Sequence, residues 1–186
     1  MMKSILKDAL TLLCITLVAG LCLSFVYELT KDPIAQAELQ KKYASYQAVM
    51  TDVKFAELTE EQNAALLASS VHFDAETNEI LAAEDNSGKL VGFVMSVTGK
   101  GGYGGDITVA IGVSADGKVT GFAPLSHGET AGFGARMEND DVKAMFVGIG
   151  SGAEFDGISG ATVTSTALRK IVDTAVQTAQ ILTEVQ

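Results

Sequence analysis

Cysteine is nearly absent from this 186-residue chain, and the two present, Cys14 and Cys22, both lie inside an uncharged apolar run. That placement fits lipid-level packing better than a disulfide or a metal pair. Two thiols also fall short of the four that an iron–sulfur cluster of the four-cysteine kind takes. Any redox chemistry in this chain therefore uses a different cofactor. Basic residues are in deficit as well. Thirteen lysines and arginines against 23 acids leave a net charge of −10, and no basic stripe interrupts the pattern. A surface of that sign repels phosphates, which argues against nucleic acid as a partner. No tandem repeat or low-complexity tract is evident, and the glycine-rich stretch Gly99–Ile107 lacks the Gly-Lys-Ser/Thr ending of a nucleotide P-loop.

Charge is missing altogether from Ala9 to Tyr27. About nineteen residues make a helix of roughly 28 Å, enough to cross a hydrocarbon core, which predicts a transmembrane anchor over residues 9–29. A cleaved signal peptide is the alternative, because Lys3 and Lys7 also suit its charged leader. The run is long for such a core, and its small residues Ala19 and Gly20 are followed by more apolar sequence, which favours a retained anchor. Lys3, Lys7 and the terminal amine put residues 1–8 in the cytoplasm, although Lys31, Lys41 and Lys42 follow the span closely. The expected location is the cell (inner) membrane, crossed once, with the C-terminal domain extracytoplasmic.

Beyond the anchor, Lys31-Asp32-Pro33 reads as a cap followed by Pro in the first turn of a second helix. Residues 30–50 then form a helical stalk. Its loosely apolar face of Ala35, Leu39, Tyr43 and Tyr46 packs either on the domain or on a neighbouring subunit. Residues 51–186 form the globular domain. Thr59 and Gln62 have capping-box spacing ahead of a short helix ending near Ala68. The period then changes to two. Glu79–Asp85 and Lys89–Thr98 read as strands around Asn86-Ser87-Gly88, with Val91, Phe93, Met95 and Val97 on one face, and Asp106–Ser114 with Lys118–Leu125 repeats the pattern. Asp140 or Asp141 caps a short helix through Phe146. Leu168, Ile171, Val172, Ala175, Val176, Ala179 and Leu182 form one stripe of a final helix. The expected fold class is α+β, an antiparallel sheet packed with helices and preceded by one transmembrane helix.

Chemistry concentrates just ahead of that final helix. Asp156-Gly157-Ile158-Ser159-Gly160-Ala161-Thr162 puts a threonine hydroxyl where the unpaired N–H groups and positive pole of a helix welcome an anion such as phosphate. Gly160 and Ala161 leave room for a bulky group. Ordinary capping by Ser159, Thr162 or Thr164 is the bland alternative. A second glycine-rich stretch, His127 to Gly134, offers close backbone approach at Gly132 and Gly134. Taken by itself it reads as a surface loop in which His127 makes local hydrogen bonds. Gly99–Ile107 carries Tyr103 and reads equally well as a hairpin connection.

The heptapeptide resembles, position for position, the Asp-x-x-Ser/Thr-Gly-Ala-Thr signature of the FMN-binding domain found in the G subunit of Rnf complexes and the B and C subunits of Nqr complexes. His127–Gly134 resembles the family's His-x-Glu-Thr-x-Gly-x-Gly element, with Ala131 where Pro is frequent and Phe133 where Leu is. The Tyr103 segment is similar to its Gly-Tyr/Trp-x-Gly-x-Ile stretch. The likeness covers approximately Leu90 to Thr166. It implies FMN attached covalently to Thr162 through a phosphodiester, with Ser159, Gly160, Ala161, Thr130, Gly132, Phe133, His127, Glu129 and Tyr103 around it. A threonine alcohol is too weak a nucleophile to react unassisted, and the family uses a separate flavin transferase with FAD and a divalent cation, which would read Asp156, Ser159 and Gly160.

The implied role is an electron relay, non-catalytic by itself and with no metal site, in the Rnf complex. That complex couples electron transfer between reduced ferredoxin and NAD⁺ to Na⁺ or H⁺ transport, so the other Rnf subunits would be partners. A single span suits the Rnf member of the family better than the multi-span Nqr B subunit. The Nqr C subunit, a free-standing flavin carrier, and a membrane-anchored structural or binding module without flavin remain the alternatives.

Overall fold

The computed structural model describes residues 2–71, 73–150, 152 and 155–185, with side chains in the first helix described from Ile5 onward. The terminal amine of Met1 and the side chain of Lys3, on which the topology expectation draws, lie outside that description. Two compact units emerge, Met1–Lys41 and Lys42–Gln186.

The first unit is helical over its described residues. Helix α1 spans Met2–Val49 and carries an apolar stretch long enough to cross a membrane. The expected second helix start at Asp32-Pro33 does not occur, because Pro33 lies inside α1. Proline's fixed φ is helical, so it forfeits the hydrogen bond to the carbonyl four residues back without forcing an end. The strong helix formers that follow, Ala35 to Lys42, carry the helix onward.

The second unit begins in the last two turns of α1 and continues through β1 (Lys54–Ala56), α2 (Glu60–Ala68), β2 (Glu76–Glu84), β3 (Leu90–Gly102), β4 (Gly105–Ser114), β5 (Val119–Ser126), a 3₁₀ turn (Gly134–Glu138), α3 (Asp140–Phe146) and α4 (Thr162–Thr183). The five strands form one antiparallel sheet in sequence order. The Thr59–Gln62 capping box is present at α2. At α3 neither Asp140 nor Asp141 is the cap: Asn139 is, and both acids fall in the first turn, where they complement the helix dipole.

Both faces of the sheet are covered. The α4 stripe from Leu168 to Leu182 is buried against Phe93, Met95 and Val97 of β3 and Ile107, Val109 and Ile111 of β4. On the opposite face Tyr46, Val49 and Met50 close over Ala83, Val94 and Ala110. Val91, expected in the same stripe as Phe93, packs on this second face. The register slips between Ala83↔Gly92 and Glu84↔Leu90, leaving Val91 as the extra residue of a bulge and reversing the side-chain phase. The Tyr46 hydroxyl donates to Glu79 Oε2 at 2.5 Å, and Lys42 Nζ lies 2.7 Å from the same oxygen. Burial would raise the Glu79 carboxyl, but these two donors together hold it below its ordinary value, and burial first and then Glu79 push the Tyr46 phenol up.

Candidate functional site

The segment entering α4 is pinned at alternate places. Phe155 packs on Phe146, which stacks on Phe122 at 4.3 Å, and Ile158 is 4% exposed. Between and after those anchors Asp156, Gly157, Ser159 and Gly160 stay exposed in a turn closed by Ala161 N–H donating to the Ile158 carbonyl. Gly160 takes a left-handed φ of 79°, which favours glycine at the sharp corner into the helix.

Four hydroxyls follow in the first turns of α4, and the structure separates them. The N-cap is Ala161, which has no side chain able to cap, so neither Ser159, Thr162 nor Thr164 acts as one. Thr164 is buried and donates to Glu129 Oε2. Ser165 accepts from Ile158 N–H and donates back to the Ala161 carbonyl, both at 2.9 Å. Thr166 donates to the Thr162 carbonyl at 2.9 Å. The Thr162 hydroxyl, in an exposed first-turn position, has no hydrogen-bond partner among the described residues.

A cavity of about 430 Å³ opens beside it, lined by Tyr103, Glu129, Thr130, Phe133, Gly134, Gly160, Ala161, Thr162, Val163 and Thr164. Three separate sequence stretches thus meet in one place. Tyr103 comes from the tip of the β3–β4 hairpin, where it is 74% exposed; strand pairing continues to Gly102↔Gly105, so the turn is only Tyr103-Gly104. Thr130 and Phe133 come from the loop after β5, folded by Phe133 and Ala135 N–H groups donating to the Thr130 carbonyl. Gly134 is required by close packing: a Cβ there would run into the Glu129 carboxylate and lie 2.6 Å from the Thr164 hydroxyl.

Of the residues expected at the site, Thr162, Gly160, Ala161, Thr130, Phe133, Glu129 and Tyr103 line the cavity, whereas His127, Gly132, Ser159 and Asp156 do not. His127 Nδ1 accepts the Glu129 N–H at 3.2 Å, and Nε2 lies 3.0 Å from Glu138 Oε1. Both ring nitrogens are thereby engaged in shaping the loop. Gly132, at φ 79°, serves its turn. Sequence reasoning did not single out Val163 and Thr164 as lining residues. A helical phase anchored on Thr162 could have flagged Val163 as its neighbour, but nothing local signals that Thr164 reaches Glu129, 35 positions away.

Known proteins share this arrangement of sequence. A family model described as "FMN-binding domain" matches residues 102–177, and another described as "RnfG N-terminal region" matches residues 1–49. The G subunit of the ion-translocating oxidoreductase complex of Cereibacter sphaeroides is 31% identical, over 89% of this chain and 80% of that one. The G subunit of the Na⁺-translocating ferredoxin:NAD⁺ oxidoreductase complex of Acetobacterium woodii is 28% identical, over 98% of this chain and 95% of the relative. The corresponding G subunit of the proton-translocating ferredoxin:NAD⁺ oxidoreductase complex of Clostridium ljungdahlii is 27% identical, over 90% and 86%.

Proposed function

The chain belongs to the G-subunit family of ion-translocating oxidoreductase complexes, and on that premise we propose that it is a membrane-anchored electron-relay subunit carrying FMN on Thr162. The observation that carries the proposal is the Thr162 hydroxyl itself, exposed and unpartnered at a cavity while its neighbours Thr164, Ser165 and Thr166 are all bonded.

The residues present fit such a group. A volume of about 430 Å³ lies within the roughly 300–1,000 Å³ of cofactor pockets. The α4 N-terminus offers unpaired N–H groups and the positive end of its dipole to a phosphate at Thr162. Gly134 keeps one wall open, and Tyr103 and Phe133 offer aromatic surface at the rim. When bound, the flavin supplies one- or two-electron transfer, while the protein supplies attachment, orientation and electrostatics.

Attachment would join Thr162 Oγ1 to the FMN phosphorus as a phosphodiester, with AMP leaving from FAD as its pyrophosphate bond breaks and the hydroxyl proton released to a base. A separate flavin transferase performs this step, with exposed Asp156, Ser159 and Gly160 available for it to read. Residues 9–29 anchor the protein in the cell membrane with residues 1–8 in the cytoplasm, so the domain faces outward. Its partners are the other members of the complex, which relay between ferredoxin and NAD⁺. The relatives' names assign Na⁺ to one and protons to another, so family membership leaves the transported ion open.

Coexpression with a flavin transferase followed by intact-mass measurement tests the assignment. Wild type should gain one FMN less one water and fluoresce after denaturing electrophoresis. Thr162→Ala should lose the adduct, and Thr166→Ala should keep it. An adduct retained in Thr162→Ala, or an unmodified wild type, would overturn the proposal.

A further inference from the structure

Among the described residues Glu129 is the one buried acid, 8% exposed, and no Lys or Arg pairs with it. A carboxylate withdrawn from water is costly unless its oxygens find donors. Here they find donors from two different elements. Oε1 accepts the Gly104 N–H at 2.9 Å, from the β3–β4 hairpin tip, and Oε2 accepts the Thr164 hydroxyl, from the first turn of α4. The Glu129 N–H is itself held by His127. The surroundings are cut back to admit this side chain: a Cβ at Gly102 would lie 2.6 Å from Oε1, and one at Gly134 would strike Oε2. Glu129 also lines the cavity between Tyr103 and Thr162.

We infer that Glu129 is a positioning residue that clamps the hairpin tip to the first turn of α4, keeping the cavity in shape before any cofactor arrives, and that its charge lowers the reduction potential of the group held there. The clamp needs no flavin; the effect on potential rests on the proposed function. A fixed negative charge disfavours adding electrons to a neighbouring ring, so removing it raises the potential.

The two parts separate experimentally. In Glu129→Gln the amide can still accept from Gly104 and can donate to the Thr164 oxygen, so the variant keeps the clamp and loses the charge. Alanine loses both. In the flavin-free full-length protein in detergent, Glu129→Ala should speed amide hydrogen exchange at Gly104 by about tenfold or more, with Ile171 in the α4 core still protected. Thr164→Val should speed it by less, and Glu129→Gln should stay near wild type. In the flavin-loaded protein, Glu129→Gln should raise the flavin's midpoint potential. Unchanged Gly104 exchange in Glu129→Ala, or an unchanged potential in Glu129→Gln, would overturn the inference. If wild type takes up no flavin at all, the effect on potential falls with the proposed function, while the exchange experiment still decides the clamp.

Discussion

Asp173 lies half-buried on α4, where its charge is unwelcome. Burial raises its carboxyl above the ordinary value and the nearby Asp74 charge adds to that, while Arg169 opposes both. A raised folded-state value means that folding favours the protonated acid. The resulting stabilisation is complete below the unfolded value near 4 and is lost as pH rises through the folded value. At neutral pH the ionised group is therefore a mild liability. Asp173→Asn should raise the melting temperature at pH 7, by a stability gain of at most about 0.5 kcal/mol at so partly exposed a site, and the gain should fade below about pH 4. A variant that melts lower at pH 7 would contradict the assigned cause.

The sequence exposes Thr162 through its neighbours Ser159, Gly160 and Ala161. It hides that Thr164 and Ser165 are occupied, because their partners Glu129 and Ile158 are brought in by the fold.

Where α1 ends, two glycines leave the sheet bare of side chains to receive it. Gly112 and Gly121 are paired across β4 and β5, and the backbone of Val49 lies on them. The neighbouring Thr120 hydroxyl donates to the Val49 carbonyl at 2.8 Å, giving the helix's last carbonyl a partner it would otherwise lack. A Cβ at Gly121 would sit 2.5 Å from Val49 Cα and 2.6 Å from its carbonyl oxygen, backbone atoms that cannot swing aside. Gly121→Ala should therefore destabilise the protein by about 1–3 kcal/mol, seen as a lower denaturation midpoint for the full chain in detergent. An unchanged midpoint would mean that the end of α1 can shift off the sheet at no cost.

This docking surface was illegible because a glycine in a strand says only that something approaches. Four of the five strands were legible from alternation, and α4 from its stripe. Strand β1, three residues long, has no period to read, and the bulge that turned Val91 over is set by pairing with β2 rather than by any local signal. Of the candidate site, the two loops stood out through their family resemblance, while the Glu129 link that joins them is made only by the fold.

The folded domain begins inside α1. The sequence suggests residue 51, after a stalk. The compact unit instead starts at Lys42, since Tyr46 and Val49 are 0% and 3% exposed and cover the second face of the sheet. Each such side chain is worth about 1.5–3 kcal/mol of burial, and a domain's total stability is only about 5–15 kcal/mol. About ten residues thus decide between a covered sheet and an open one. A fragment starting at Lys42 keeps both core clusters, the Lys42–Glu79 ion pair and the Tyr46–Glu79 hydrogen bond. It should be soluble and melt in one cooperative step. A fragment starting at Asp52 leaves Ala83, Val94 and Ala110 uncovered and should aggregate or melt many degrees lower, because an exposed apolar face of this kind seeks another partner. Equal melting temperatures for the two fragments would show that the last turns of α1 merely rest on the domain, and the boundary at residue 51 would stand.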